Sequence, residues 1–299
     1  MTSSKTVGSH ASDPFRIVGY LPDWDGVVDP NQLALVTHVN YAFVIPNADG
    51  SLVEVANDAK LKSLVREAHT HGVKVLISVG GWGHERAFQT MATDALARTR
   101  FVSNIVAFAE RFLLDGIDID WEYPQVADSE AYNQLMKELR VVQTARQKLL
   151  TIAVVSYGGN AEGTSNEVLA LCDFVNLMAY DGSPAADHST LALAEESLMY
   201  WRNRGLPGEK INLGVPFYSR PGEIPFRKVI ESAPEARNLD QTDVSGVINY
   251  YNGLATMRAK TALARKLGNG IMIWHIGQDA AGDASLLRAI ARESGQSVP

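Results

Sequence analysis

Three carboxylates occupy alternate positions of one short segment, Asp115-Gly116-Ile117-Asp118-Ile119-Asp120-Trp121-Glu122, whose intervening residues are apolar. Successive side chains of a β-strand point to opposite faces, so Asp118, Asp120 and Glu122 project together while Ile117, Ile119 and Trp121 pack the other way. At a rise of roughly 3.3 Å per residue, neighbouring acids lie about 7 Å apart at the backbone. Each charge makes the next harder to ionise, so Glu122 is expected to keep a proton near neutral pH. Asp115 has the opposite parity and is expected to cap the start of the strand. Three acids could also hold Mg²⁺ or Ca²⁺, but such ions draw ligands from several strand ends. The histidines, His188 and His275 included, show no metal-ligand spacing, so no metal and no cofactor is expected.

Such a row needs a scaffold that buries its apolar side and opens its acidic one. From Pro14 onward, short β-branched runs alternate with helical-period segments, as in successive βα units of a parallel sheet. The strands are expected at 16–20, 36–44, 73–79, 116–122, 149–156, 174–180, 211–217 and 270–275. Apolar stripes at Leu61, Leu64, Val65 and Ala68, and at Val102, Ile105, Val106, Ala109 and Leu113, predict helices between them. Further helices are expected over 130–146, 189–204, 225–236, 252–267 and 284–293. Eight strands predict a single (β/α)₈ TIM barrel over 14–299, a size that fits 299 residues as one domain. The rival, an open doubly wound sheet, would need a Gly-rich phosphate loop. Ser78-Val79-Gly80-Gly81-Trp82-Gly83 lacks that spacing and a following acid.

With 46% hydrophobic and 20% charged residues the composition is that of an ordinary globular protein. A net charge of −7 argues against nucleic acid as a partner, and no apolar run approaches the length of a membrane span. Cys172, the single cysteine, excludes an internal disulfide and reads as a packed hydrophobe. Residues 1–13 read as a polar lead or tag without the apolar stretch of a signal peptide.

Active sites of such barrels lie at the carboxyl ends of the strands, and here those ends carry aromatics. Tyr20, Tyr41 and Phe43, Ser78, Glu122-Tyr123, Met178-Ala179-Tyr180-Asp181, Phe217-Tyr218 and Trp274-His275 all fall there. Aromatic rings around a carboxylate row suit sugars, whose C–H faces stack on indole and phenol rings.

At these residues the chain resembles glycoside hydrolase family 18, the chitinase-like hydrolases. The resemblance rests on Asp115–Glu122 as the family's DxxDxDxE strand, on Ser78-Val79-Gly80-Gly81 as its SxGG strand, and on Asn40-Tyr41-Ala42-Phe43, Met178-Ala179-Tyr180-Asp181 and Gly270-Ile271-Met272-Ile273-Trp274. It implies a retaining chitinase acting on N-acetylglucosamine polymers, with the substrate's own 2-acetamido oxygen as nucleophile. The strand agrees in one respect: an ordinary double displacement needs carboxyls on opposite sides of the anomeric carbon, and Asp120 and Glu122 project from one side. The resemblance assigns acid and base to Glu122, acetamido N–H and oxazolinium stabilisation to Asp120, and proton sharing with Asp120 to Asp118. Tyr180 would hold the acetamido oxygen, Asp181 would touch the same sugar and Trp274 would floor it. Met178, Tyr20, Phe43, Tyr41, Tyr123 and Ser78 complete the expected substrate-binding set, Ser78 and Tyr20 as partners of the acidic row. Tyr218 and Arg220 fit either the family's seventh-strand pattern or a surface pair.

Many family members insert an α+β module between strands seven and eight. Only 218–269 lies there, and its helical reading implies that the module is absent and the cleft shallow, which favours endo cleavage. An endo-β-N-acetylglucosaminidase or a peptidoglycan-directed hydrolase would need the same motif. A non-catalytic chitin-binding lectin would typically lack the terminal acid, which is present as Glu122. A monomer is expected, and secretion follows only from the polymeric substrate.

Overall fold

The structure, a computed structural model, describes residues 14–26, 29–182 and 185–298; the expected lead at 1–13 lies outside them. In chain order the strands are β1 (Arg16–Pro22), β2 (His38–Pro46), β3 (Leu52–Val53), β4 (Lys74–Trp82), β5 (Gly116–Glu122), β6 (Leu149–Val155), β7 (Phe174–Met178), β8 (Ile211–Pro216), β9 (Gln241–Val244), β10 (Val247–Tyr250) and β11 (Gly270–Trp274). The helices are α1 (Pro30–Leu33), α2 (Asp58–Thr70), α3 (Glu85–Thr93), α4 (Ala95–Arg111), α5 (Ser129–Ala145), α6 (Asn166–Leu171), α7 (Leu191–Asn203), α8 (Phe226–Ser232), α9 (Leu254–Leu267) and α10 (Leu286–Ser294).

β1, β2, β4, β5, β6, β7, β8 and β11 pair in parallel, and β1 closes the ring on β11. This is the expected (β/α)₈ barrel. Alternation along each strand divides the core into two layers. Ile117, Ile119 and Trp121 face outward, where Trp121 stacks on Phe88 at 5.0 Å between ring centres and meets Tyr132 at 5.2 Å. A smaller inner cluster contains Val18, Tyr20, Ala42, Ala153, Phe174, Met178 and Met272. Helix starts obey local chemistry. The Asn57 side chain caps α2 at Lys60 N–H, and Asp94 caps α4 at Leu96 and Ala97 N–H, each satisfying donors that have no partner inside the helix. As expected, Leu61, Leu64, Val65 and Ala68 form the buried stripe of α2. Asp115 accepts the Val75 N–H at 2.8 Å at the foot of β5.

The segment between β8 and β11 departs from its helical reading. The expected helix 225–236 is α8 followed by a 3-10 turn at Pro234–Asn238, and an antiparallel hairpin, β9 and β10, precedes α9. Ser245 and Gly246 turn it, with φ of 56° and 83°, the left-handed pair of a tight hairpin. Its strands have four residues each and are largely exposed, so no apolar alternation announces them. Between β8 and β11 the structure holds α8, the 3-10 turn, this hairpin and α9, and no larger α+β module. No helix among the described residues is long and apolar enough to cross a membrane.

Candidate active site

β5 carries the acid row up the inside of the barrel. Asp118, the deepest, is fully buried, and each of its oxygens meets two donors. Tyr20 Oη (2.6 Å) and Ser78 Oγ (2.8 Å) donate to Oδ2; Thr151 Oγ1 (2.5 Å) and Asn176 Nδ2 (3.4 Å) donate to Oδ1. Burial raises its proton affinity, and these hydroxyls oppose it. These donors come from four other strands, β1, β4, β6 and β7, and together they occupy both oxygens of Asp118.

Asp120 lies one step higher, 3% exposed, with its Oδ1 buried and without a hydrogen-bond partner. Burial first, then the charges of Glu122 and Asp118, push its carboxyl well above the usual range. Glu122, at the mouth, is raised as well, by burial and by Asp181, while the Tyr123 hydroxyl acts against the shift. Two acids side by side therefore compete to avoid charge.

Asp120 and Glu122 open into a cleft of about 1030 Å³. Trp274 lines it beside Phe43 (5.7 Å between ring centres, nearly parallel) and Tyr20 (5.8 Å). Tyr123, Met178, Tyr180 and Asp181 line it too. Burial holds the Tyr180 phenol far above its ordinary range, so it stays a donor; its hydroxyl has the Met272 sulfur at 3.9 Å. Burial alone would raise Asp181, but Arg220, His188 and Tyr218 outweigh it and hold the carboxyl well below the ordinary range. Arg220 grips both its oxygens at 2.8 Å, Tyr218 Oη donates at 2.8 Å, and the buried His188 lies 3.0 Å behind. Tyr218 and Arg220 thus form a clamp rather than an independent surface pair.

Two residues of the expected substrate-binding set do not line the cleft, and for Ser78 this agrees with its expected place as a partner of the acidic row. Ser78 lies fully buried beneath Asp118. Tyr41 points outward into the strand–helix layer, where its hydroxyl bonds Asp23. Phe43 has the same nominal parity as Tyr41 but reaches the cleft because the β2 register shifts between Ala42 and Val44. Trp82, which follows the Ser78-Val79-Gly80-Gly81 strand end, also lines the cleft at 77% exposure, as does Trp24, not singled out from sequence, at 70%. Trp24 stands on a loop clasped by Lys60, whose ammonium donates to the carbonyls of Pro22 and Asp23 at 2.9 Å and to that of Asp25. Its signal was an aromatic just beyond a strand end. Among the described residues no group of three or more His, Cys, Asp or Glu side chains could hold a metal ion.

The family profile described as "Glycosyl hydrolases family 18" matches residues 16–279, from β1 to just past β11. The chain belongs to that family. This family 18 chain is 32% identical over 224 residues to the "Probable endochitinase" of Caenorhabditis elegans, covering 62% of this chain and 36% of that protein. It is 30% identical to a "chitinase-like effector" of Moniliophthora roreri, over 67% of this chain and 57% of that protein. The chain therefore spans between about a third and just over half of these curated relatives. Its fold matches the crystal structure of the family 18 chitinase from the chitin utilization locus of Flavobacterium johnsoniae, with TM-score 0.79, 29% identity and 94% coverage of both chains.

Proposed function

We propose that this protein hydrolyses β-1,4 linkages in polymers of N-acetylglucosamine, within chains and with retention, using the substrate's acetamido group as nucleophile. Glu122 protonates the glycosidic oxygen as the acetamido carbonyl oxygen attacks C1, so the C1–O bond to the leaving sugar breaks and an oxazolinium forms. Glu122, now a carboxylate, takes a proton from water as that water attacks C1 and reopens the ring. Asp120 accepts the acetamido N–H and offsets the oxazolinium charge, while the Tyr180 hydroxyl donates to the acetamido oxygen. Asp118 anchors the row.

One observation carries the reading: the only unpartnered carboxylate oxygen buried in the row, Asp120 Oδ1, lies between a fully bonded Asp118 and Glu122, whose proton affinity burial raises. Endo action is supported by the short 217–269 segment, which adds only a small hairpin and α8 beside the cleft. The test is Glu122→Gln. Hydrolysis of chitooligosaccharides should fall by about 10³-fold or more while isothermal titration shows binding retained. Undiminished turnover would refute the acid role. A thiazoline of N-acetylglucosamine should inhibit competitively, and parallel assays on high-mannose glycopeptide and peptidoglycan assign the substrate.

A further inference from the structure

The barrel interior holds a second polar assembly, below the acid row, that the proposed chemistry does not use. Near the foot of β1, Arg16 is 7% exposed and lies over the Phe174 ring, 5.1 Å from its centre. Its Nε–H donates to Asn212 Oδ1 at 2.9 Å, and a terminal N–H donates to the Glu209 carbonyl. Asn212 Nδ2 donates to Asn176 Oδ1 at 2.9 Å. Asn176 Nδ2 then faces Asp118 Oδ1 and the Tyr20 hydroxyl, 3.4 Å from each. Both asparagines are fully buried. Gly270 makes room for the assembly, since a Cβ there would collide with Asn212 Oδ1 and Arg16 Cβ.

The direction of this chain of bonds is dictated from one end. A guanidinium carries only donors, so Asn212 must turn its oxygen to Arg16 and its NH₂ onward. Asn176 must then accept with its oxygen and present its NH₂ to Asp118. A proton on Asp118 Oδ1 would point at a donor.

We propose that Arg16 is a positioning residue for the acid row: through Asn212 and Asn176 it brings a donor and a buried positive charge to bear on Asp118, fixing that acid as a carboxylate. The row's proton is then confined to Asp120 and Glu122, where the chemistry needs it. The activity readout of this inference rests on the proposed hydrolase reading. The other titratable groups that sense Asp118 are Tyr20 and Asp120 on the inner side and Tyr132 and Cys172 across the strand. Near Arg16 stands His38, whose ring meets Phe174 edge-on at 5.2 Å. Burial first, then the charges of Lys74 and Arg16, lower it to about 3, so it is neutral and adds no charge to the relay.

The experiment compares the pH profiles of kcat/KM for the wild type, Arg16→Lys, Arg16→Met and Asn212→Leu on chitooligosaccharides. In Arg16→Met the acid limb should move up by about one pH unit and the alkaline limb by less, narrowing the bell. Asn212→Leu, which keeps the cation and cuts the relay, should move it in the same direction by less, and Arg16→Lys should restore most of the wild-type profile. A carbon-13 NMR titration of the aspartate carboxyls, with Asp118 assigned by Asp118→Asn, reads the same shift without turnover. An Asp118 resonance that titrates identically in wild type, Arg16→Met and Asn212→Leu overturns the inference whatever the enzyme hydrolyses. A shifted resonance in a protein that cleaves nothing sustains it and overturns the hydrolase reading instead. Should Arg16→Met not fold, Asn212→Leu carries the same comparison.

Discussion

Asp120 and Glu122 hold protons in the folded barrel over an interval of pH in which the unfolded chain has released them. Both carboxyls are raised, chiefly by burial. Unfolding therefore releases protons in that interval, and stability falls as pH rises from the ordinary carboxylate range through the raised values. Asp120→Asn removes one such titration. Its Tm should exceed that of the wild type by about 3 °C at pH 7, with the gap closing toward pH 4, while hydrolysis falls by about 10²-fold. A gap that stays constant with pH in differential scanning calorimetry would show that the acid's ionisation is not its source. The facing of the acid row was legible because it depends only on the two-residue period of a strand. The partners of Asp118 were only partly so: Tyr20 and Ser78 stand at visible motifs, whereas Thr151 meets it through the β5–β6 register and Asn176 reaches it from β7, neither of which a local pattern marks.

Among the elements, α9 does more than cover the barrel. Its Lys260 is fully buried, and the ammonium donates to the Ser189 carbonyl (2.7 Å), Ser189 Oγ (2.6 Å) and Asn252 Oδ1 (2.7 Å). Ser189 Oγ donates to the Ala179 carbonyl, and the preceding His188 backs Asp181, so the helix fixes the stretch after β7 that bears Tyr180 and Asp181. Burial lowers the lysine to about 7. The unfolded chain then binds more protons than the folded one between pH 7 and the ordinary lysine value, and this group's contribution to stability rises with pH across that window. Lys260→Met leaves acceptors unpaired and should cost about 2 kcal/mol at pH 7. The deficit should widen by pH 9 in urea titrations, and a deficit constant from pH 6 to 9 would count against the buried ammonium. The periodicity of 252–267 announced the helix, but nothing local marks Lys260 as interior, because its acceptors include a loop about seventy positions away. The outward turn of Tyr41 and the inward turn of Phe43 were hidden for a related reason. A register shift in β2 undoes simple alternation between them, and it depends on the pairing with β4.

At the scale of the molecule, the net charge of −7 and the uncharged substrate class proposed above make a kinetic statement. Attraction between the protein's field and a neutral chain is weak, so kcat/KM for chitooligosaccharides should change by less than about twofold between 20 mM and 500 mM salt. A steep salt dependence would point to a charged substrate, such as peptidoglycan, instead. The count of eight strands and the barrel were readable from the βα alternation, while the β9–β10 hairpin, short and exposed, carries too little apolar pattern to be seen. Ring closure also has a bearing on heredity. β5 is locked between β4 and β6, with acids on its inner side and Ile117, Ile119 and Trp121 on its outer side. Deleting a single codon inside it would exchange the two sides, forcing carboxylates among the helices and an indole into the cavity, and no slippage of a hooped sheet could absorb the change. Descendants of this gene can vary that strand by replacement, but hardly by length.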